Sequence, residues 1–278
     1  MDITIPLFSD ICLKIGPVFT NGDSYPTSRL QKGLILISNG QELVEEGVGF
    51  GVPVLKLGVK TIFPGGIELS CLDKGSRQEI SAKYILNLEE RITSHGLGSI
   101  ESRLLYQIKN HLAELYRRSP LTRGPLTAIS NAVRSSFAWQ TTYEDAGYSH
   151  VVKVNYAIDC HTGVIAVEVD MVTLAEDGMT ELILMNEQGA HHFDLYSDSS
   201  GLELKGEKIG SWNEVTAERA SFRSNAHRLA FTLQQINGAR LFRGRENIGS
   251  RLAWSGFGYS IPARLERFSY TLRIERLP

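Results

Sequence analysis

The alternation of apolar and polar positions marks most of this chain as β-strand. Period-two or β-branched runs recur along the sequence, and Gly, Asn, Asp or Pro separates many of them. This pattern predicts a mainly β protein built as a large antiparallel assembly. The predicted strands cover residues 33–38, 48–57, 67–72, 80–88, 151–158, 164–174, 181–185, 228–233, 250–254 and 268–274.

One β-hairpin can be predicted together with its register. Residues 160–163, with the sequence Cys-His-Thr-Gly, are typical of a tight turn. A register that pairs the apolar residues on one face also aligns polar partners on the other face, so both faces agree on one pairing. The predicted pairs are Ile158–Ile165, Tyr156–Val167, Val154–Val169, Asn155–Glu168 and Lys153–Asp170.

Helical spacing interrupts the β pattern between residues 99 and 137. Apolar residues follow a helical period from Ser99, a good N-cap, towards Pro120, which would stop a helix. A second, shorter helix is predicted to begin at Pro125, because the fixed φ of proline suits the first helical turn. The two segments predict a helical hairpin inserted between two β halves. It would cover a sheet face, or serve as a lid or a partner surface.

The chain lacks internal repeats and low-complexity linkers. We therefore expect one extended unit over residues 1–278, a large antiparallel β-sandwich of the supersandwich type with the hairpin at 99–137. The change of pattern near Gly147 is the alternative, an internal domain boundary. Length and apolar content are sufficient for a substantial core in either case.

The first residues have neither a basic region nor a long apolar run, and no stretch reaches the length of a membrane-spanning helix. The three cysteines are far apart and outside any CxxC spacing, which argues against a disulfide framework. These features predict a cytoplasmic protein without membrane association.

Charge is unevenly distributed. Residues 217–278 hold eleven arginines, no lysine and four glutamates, a local charge of +7 in a chain of formal net charge −2. Such a segment favours an anionic ligand or partner, and a basic segment on an acidic body also favours self-association into a homo-oligomer. The acidic remainder, and the lack of an RRM, KH or helix-turn-helix pattern, argue against nucleic acid as the partner.

Three glycines, Gly47, Gly49 and Gly51, alternate along one predicted strand and leave bare backbone on one face. Something must approach this face closely. It could be a ligand, the helical hairpin or a tight strand crossing, and packing is the commoner reason for such gaps. The run lacks the GK[ST] ending of a phosphate loop.

Ligand-type side chains gather in residues 187–194, which include Glu187, His191 and His192. The segment lacks the HExxH frame of a helical zinc site, and adjacent histidines in a strand would point to opposite faces. We therefore predict no metal and no cofactor. Glu168 and Asp170 share a strand face and could act as an acid and base pair, but their predicted partners indicate a solvated ladder.

The arginine-rich segment contains the predicted binding site. Arginine binds carboxylate or phosphate with two parallel hydrogen bonds, and flat aromatic rings stack on sugars. An anionic carbohydrate would satisfy both. The alternative is that the arginines pair with acidic residues of the same chain. The predicted substrate-binding residues are Arg243, Arg245, Arg251, Trp254 and Tyr259.

The region Trp254-Ser-Gly-Phe-Gly-Tyr259 and the closing strand at residues 268–275 resemble the galactose mutarotase-like superfamily of large β-sandwiches. The resemblance is architectural and covers mainly the C-terminal half. It implies a relationship to sugar epimerases and polysaccharide lyases, which use His with Glu, or Tyr and His with Arg or Asn. No such motif aligns with this chain residue by residue.

Two hypotheses follow. In the first, the protein is an epimerase or lyase acting on an acidic sugar or oligosaccharide, in which Tyr148 or His150 moves a proton and Arg251 neutralises the substrate carboxylate. In the second, it is a non-catalytic β-sandwich that binds an anionic ligand or a partner protein through the same arginines. The sequence leaves both open.

Overall fold

A computed structural model describes residues 2–17, 26–94, 139–171, 178–247 and 253–278. The helical elements among these residues are two short 3-10 turns, Pro26–Arg29 and Gly206–Ile209. The predicted helical hairpin at 99–137 lies outside the described residues. It therefore has no support from the described part and stays a prediction.

Eighteen strands make up most of the described chain. They are β1 (Ile3–Phe8), β2 (Ile11–Ile15), β3 (Ile35–Ser38), β4 (Gln41–Glu42), β5 (Gly49–Leu57), β6 (Lys60–Lys74), β7 (Arg77–Ser94), β8 (Trp139–Asp159), β9 (Val164–Asp170), β10 (Glu181–Gly189), β11 (Leu195–Asp198), β12 (Glu203–Lys205), β13 (Asn213–Glu214), β14 (Arg219–Ser224), β15 (Leu229–Gln234), β16 (Arg240–Asn247), β17 (Ala253–Pro262) and β18 (Arg267–Arg276). The protein is thus mainly β, as the sequence predicted.

The strands form two antiparallel sheets. Strands β1 to β4 follow one another in a four-stranded sheet, and the other fourteen form one long sheet in the order β12-β11-β14-β15-β18-β9-β8-β7-β6-β5-β10-β17-β16-β13. An isolated bridge between Leu34 and Phe50 joins the two sheets. Many of these pairings join consecutive strands, whereas others, such as β5 with β10, join strands that are far apart in sequence.

The long sheet folds back on itself to make a sandwich. Phe50 of β5 packs against Phe231 of β15 with ring centroids 5.1 Å apart, although these strands are six places apart in the sheet. Phe257 of β17 packs in the same way on Phe222 of β14, at 4.8 Å. Strands β5, β10 and β17 therefore face β14, β15 and β18 across the main hydrophobic core.

The hairpin of β8 and β9 has the predicted register. Ile158 pairs with Ile165, and the same register sets Asn155 opposite Glu168. The apolar members of the hairpin are buried in the main core, and the polar members lie on the outer face. All five predicted pairs are confirmed.

Gly147, the alternative domain boundary, lies inside β8. It has a φ of +77°, and the pairing of β7 with β8 shifts register between Leu86 and Leu88 at this level. These features are those of a β-bulge, which glycine allows because it has no Cβ. The strand continues on both sides of Gly147, and the division of the chain into domains remains a prediction.

The glycine run at the start of β5 serves packing. A Cβ on Gly51 would lie 2.6 Å from the Tyr156 ring, and a Cβ on Gly49 would lie 2.8 Å from the Leu34 carbonyl oxygen. Both glycines have positive φ, so strict alternation is lost here. Phe50 accordingly enters the main core, whereas Val48 and Val52, two residues away on either side, do not. They belong to a second cluster on the outer face, together with Leu30, Val54, Leu88 and Met185.

Candidate functional site

The described members of the predicted binding site, Arg243, Arg245, Trp254 and Tyr259, lie on two different faces of β16 and β17. Arg245 is opposite Ser255, whereas Glu246 is opposite Trp254, so the arginine and the tryptophan point away from each other. Tyr259 is fully buried, and its hydroxyl donates a hydrogen bond to the Gln234 carbonyl oxygen. The structure therefore does not gather these residues on one surface.

The described arginines of the predicted site make contacts within the chain. The Arg243 guanidinium lies 4.6 Å from the centroid of the Tyr196 ring. Arg245 is only 10% exposed, and its Nη1 lies 3.4 Å from the Glu207 carboxylate. Arg251 lies outside the described residues. Other arginines of the segment form the ion pairs Arg223–Glu203, Arg240–Glu181, Arg273–Glu275 and Arg276–Asp10.

Tyr148 and His150, the predicted catalytic residues, lie next to the bulge of β8. Their rings are 5.5 Å apart, and Lys60 donates a hydrogen bond of 3.4 Å to the Tyr148 hydroxyl. Five strand spacings separate β8 from β17, about 24 Å along the sheet. The structure therefore does not bring Tyr148 and His150 together with Trp254.

The strongest concentration of buried polar groups is in β10. Asn186, Glu187 and Gln188 are consecutive and almost fully buried in a strand with neighbours on both sides. The Asn186 side chain enters the main core, where its Oδ1 accepts hydrogen bonds from the Tyr270 hydroxyl at 2.7 Å and from the Gly51 amide at 3.2 Å. Because successive residues of a strand alternate, Glu187 points to the outer face.

Glu187 has a buried carboxyl group, and one of its oxygens lacks a hydrogen-bond partner among the described residues. It is 3% exposed, and its Oε2 accepts a long hydrogen bond of 3.4 Å from the Val48 amide. Within the described part of the chain, Oε1 has no hydrogen-bond partner. Burial raises the pKa of Glu187, the hydrogen bond from Val48 lowers it and the charge of Glu246 raises it, so that the pKa moves from 4.5 to about 8. The carboxyl group is therefore protonated at neutral pH and can donate a proton.

Two tryptophans lie on the same sheet face as Glu187, over glycines of the neighbouring strands β16 and β17. Gly256 is opposite Glu187, and Gly244 is opposite Gly256. A Cβ on Gly244 would lie 2.7 Å from the Trp254 ring, and the Trp212 and Trp254 ring centroids are 5.1 Å apart. The outer face next to the acid therefore carries a pair of flat aromatic rings.

A second carboxylate lies on the same face, close to the end of β10. The Glu45 side chain is positioned over Gly189, two residues and about 7 Å along the strand from Glu187. Its Oε2 lies 3.0 Å from His191 Nδ1, and its Oε1 lies 3.5 Å from His192 Nε2. His192 Nδ1 is in turn 3.0 Å from His227 Nε2, so a hydrogen-bonded chain connects three turns.

Burial lowers the pKa of His192, and the carboxylate of Glu45 opposes this effect. The expectation that His191 and His192 point to opposite faces is wrong. They lie in the turn after β10 rather than within a strand, and both contact Glu45. Among the residues that the structure describes, no group of three or more His, Cys, Asp or Glu side chains could hold a metal ion.

Sequence reasoning included Glu187 among the ligand-type side chains of residues 187–194 but did not identify it as a buried acid. The available signal was the polar triplet Asn186-Glu187-Gln188 directly after the apolar run of residues 182–185. Nothing in the sequence indicated that Glu45 would lie near Glu187, because these two residues are far apart in sequence.

The described part of the chain has no helix that is both long and apolar enough to span a membrane. No known family model matches the chain, and no curated protein matches it in sequence.

Solved structures show a distant similarity. An alpha-N-acetylgalactosaminidase from Bifidobacterium bifidum has a TM-score of 0.49 at 8% identity, and the match covers 99% of this chain but 36% of that one. A galactose mutarotase-like protein from Lactobacillus casei ATCC 334 has a TM-score of 0.40 at 12% identity, with 99% of each chain covered. The chain thus has the weak architectural similarity to a galactose mutarotase-like protein that the sequence predicted. Because both TM-scores lie below 0.5, we draw no residue roles from them.

Proposed function

We propose that the protein binds and processes a carbohydrate on the outer face of β10, with Glu187 as the proton donor. The observation that carries this proposal is the buried, protonated Glu187 carboxyl group, whose Oε1 is unpaired within the described chain and which shares a sheet face with the Trp212 and Trp254 rings. A neutral carboxylic acid in an apolar setting is a general acid matched to neutral pH. Flat aromatic rings next to it suit the apolar face of a sugar.

The second carboxylate completes the chemistry of the proposal. Epimerisation and elimination both need one group that removes a proton and another that delivers one. Glu45, held by His191 and His192, is the proton acceptor in this scheme. The preference for an anionic sugar rests on the arginine-rich segment, including Arg251, and is part of the proposal.

The alternative is a non-catalytic binding module. It is favoured by the distance between Tyr148, His150 and the arginine-rich segment, and by the contacts that Arg243 and Arg245 make inside the chain. A module of this kind would bind a sugar or a partner protein without turnover. The cytoplasmic location and the homo-oligomer also stay predictions.

The test begins with thermal stability in the presence of neutral sugars, uronic acids and sugar phosphates, since a ligand of the folded state raises Tm. Turnover of each stabilising compound is then assayed in the wild type and in Glu187→Gln, with Glu214→Gln as the exposed-carboxylate control. We expect Glu187→Gln to keep binding and lose about 100-fold or more in kcat. Equal turnover in the two proteins would refute the role of Glu187.

Two further outcomes separate the hypotheses. Binding without turnover in the wild type would favour the binding module. A loss of turnover in Tyr148→Phe or His150→Gln, with Glu187→Gln fully active, would indicate that the residues predicted from sequence are the catalytic ones.

A further inference from the structure

An open groove of about 640 Å³ lies on the outer face of β6, β7, β8, β9 and β18. It lies on the far side of the sandwich from the Glu187 face, because β18 and β10 belong to opposite layers. The groove runs across five strands, about 19 Å at 4.8 Å per spacing. This shape suits an extended ligand rather than a compact one.

A row of hydrogen-bonding side chains crosses the groove. Ser81 pairs with Asn155, Asn155 pairs with Glu168, and their strands place further serines in the same line on both sides. Residues that are directly opposite share one face of a sheet, so all members of the row point into the groove. The complete row is Ser70, Ser81, Asn155, Glu168 and Ser269.

The side chains of this row are available for a ligand. Among the described residues, Ser81, Asn155 and Glu168 have no side-chain hydrogen bond or ion pair. The neighbouring row on one side differs, because Lys83 pairs there with Glu68 at 3.6 Å. The row in the groove therefore presents donors and acceptors that the fold itself does not use.

The row of side chains next to this one is small and partly apolar where it forms the floor of the groove. Ala157 and Ala166 are opposite each other, so small side chains lie beside Asn155 and Glu168. Leu72, which is 55% exposed, and Ile236 contribute apolar surface at the two ends of the groove. Hydroxyl-binding groups beside small apolar patches match the two kinds of surface that a sugar chain presents.

The charges of the groove select against an anion. Arg77 lies 3.7 Å from the Glu79 carboxylate, and this pair leaves Glu168 as the remaining charge of the lining. A carboxylate accepts hydrogen bonds from hydroxyl groups but repels an acidic ligand.

A peptide that adds to a sheet needs a free strand edge, whereas β7, β8 and β9 each have a neighbour on both sides.

We propose that this groove is a second binding site, separate from the Glu187 face, and that it holds an uncharged oligosaccharide through Asn155, Glu168 and the serines of the same row. The site binds without chemistry, since Glu79 is paired with Arg77 and Glu168 alone supplies no acid and base pair. It would hold a sugar chain on the face opposite the proposed catalytic one.

Isothermal titration with maltohexaose, cellohexaose and chitohexaose tests this proposal, with hexagalacturonate as the anionic comparison. We expect at least one neutral hexasaccharide to bind, and hexagalacturonate to bind at least tenfold more weakly. Asn155→Ala should weaken binding about tenfold. Ala166→Phe, which fills the floor at an exposed position, should abolish it. Asp170→Asn, two residues from Glu168 on the same face, is the matched control and should bind like the wild type.

Two variants together distinguish this site from the proposed active site. Glu187→Gln should lose turnover and leave binding in the groove unchanged, whereas Ala166→Phe should lose binding in the groove and leave turnover at the Glu187 face unchanged. No binding of the three neutral hexasaccharides at millimolar concentration would overturn the proposal. Binding that persists in Ala166→Phe, or that is lost in Glu187→Gln, would place the ligand elsewhere and overturn it as well.

Discussion

Glu187→Gln should change the way in which the stability of the protein depends on pH. Burial raises the pKa of Glu187 from 4.5 to about 8, so the folded protein keeps a proton that the unfolded chain loses in this range. The stability that comes from holding this proton is fully present below pH 4.5. It decreases as the pH rises and is gone above about pH 8. Glutamine has a similar shape and cannot ionise.

The size of the effect follows from the pKa difference. One pKa unit corresponds to 1.36 kcal/mol, so the interval from 4.5 to about 8 amounts to about 5 kcal/mol. Because Glu187 is fully buried, solvent screening does not reduce this figure. Between pH 5 and pH 8, the free energy of unfolding of Glu187→Gln should rise relative to the wild type by about 4 kcal/mol.

Urea unfolding of both proteins at pH 5, 6, 7 and 8 measures this difference directly. Glu214→Gln, which removes an exposed carboxylate, controls for the change in net charge. A constant difference between wild type and Glu187→Gln across the four pH values would refute the reasoning. It would mean that the Glu187 carboxyl ionises in the folded protein as it does in the unfolded chain.

Two other substitutions test the packing around the site. Tyr270→Phe removes the donor of the 2.7 Å hydrogen bond to Asn186 Oδ1 and should lower the free energy of unfolding by about 1 to 2 kcal/mol in urea titrations; an unchanged midpoint would contradict a role for this bond. Gly258→Ala would place a Cβ 2.7 Å from the Trp212 ring, so we expect a loss of about 1 to 3 kcal/mol together with a change in tryptophan fluorescence. Gly66→Ala, whose Cβ would meet its nearest neighbour at 3.7 Å, is the control, and an equal loss there would argue against the close contact at Gly258.

The β8 and β9 hairpin shows what the sequence determines locally. A register that is one residue out would move every apolar side chain of the hairpin to the solvent face. Because the polar residues Asn155 and Glu168 also align in the buried-core register, two independent constraints select the same pairing. The short turn then leaves no alternative, and the predicted pairs are confirmed.

The order of strands in the long sheet could not be predicted in this way. Period-two alternation tells which residues share a face, but it does not tell which strand lies alongside. Strand β10 lies between β5 and β17, both distant in sequence. The approach of Glu45 to the end of β10 depends on this order, so the candidate site was beyond sequence reasoning even though Glu187 itself was noticed.

The arginine-rich segment shows that residue counts alone do not predict the charge of a surface. Eleven arginines in residues 217–278 predict a basic surface, but several of them pair with acidic residues from strands and turns elsewhere in the chain. Arg245 reaches Glu207, and Arg240 reaches Glu181, because the sheet brings β16 close to those residues. Charge counts along a sequence therefore indicate an excess of one sign without telling how much of it the fold neutralises.

Asn186 and Glu187 of β10 differ in the way that a structural residue and a catalytic residue are expected to differ. Both are buried, but the Asn186 oxygen accepts two hydrogen bonds, whereas Glu187 Oε1 has no partner among the described residues. A residue retained only for stability would be expected to resemble Asn186, because an unpaired buried carboxyl group is costly. If Glu187 is retained for proton transfer, Glu187→Gln should give a protein that is more stable at pH 8 and less active. If the carboxyl group has a structural role instead, the same substitution should lower stability at every pH.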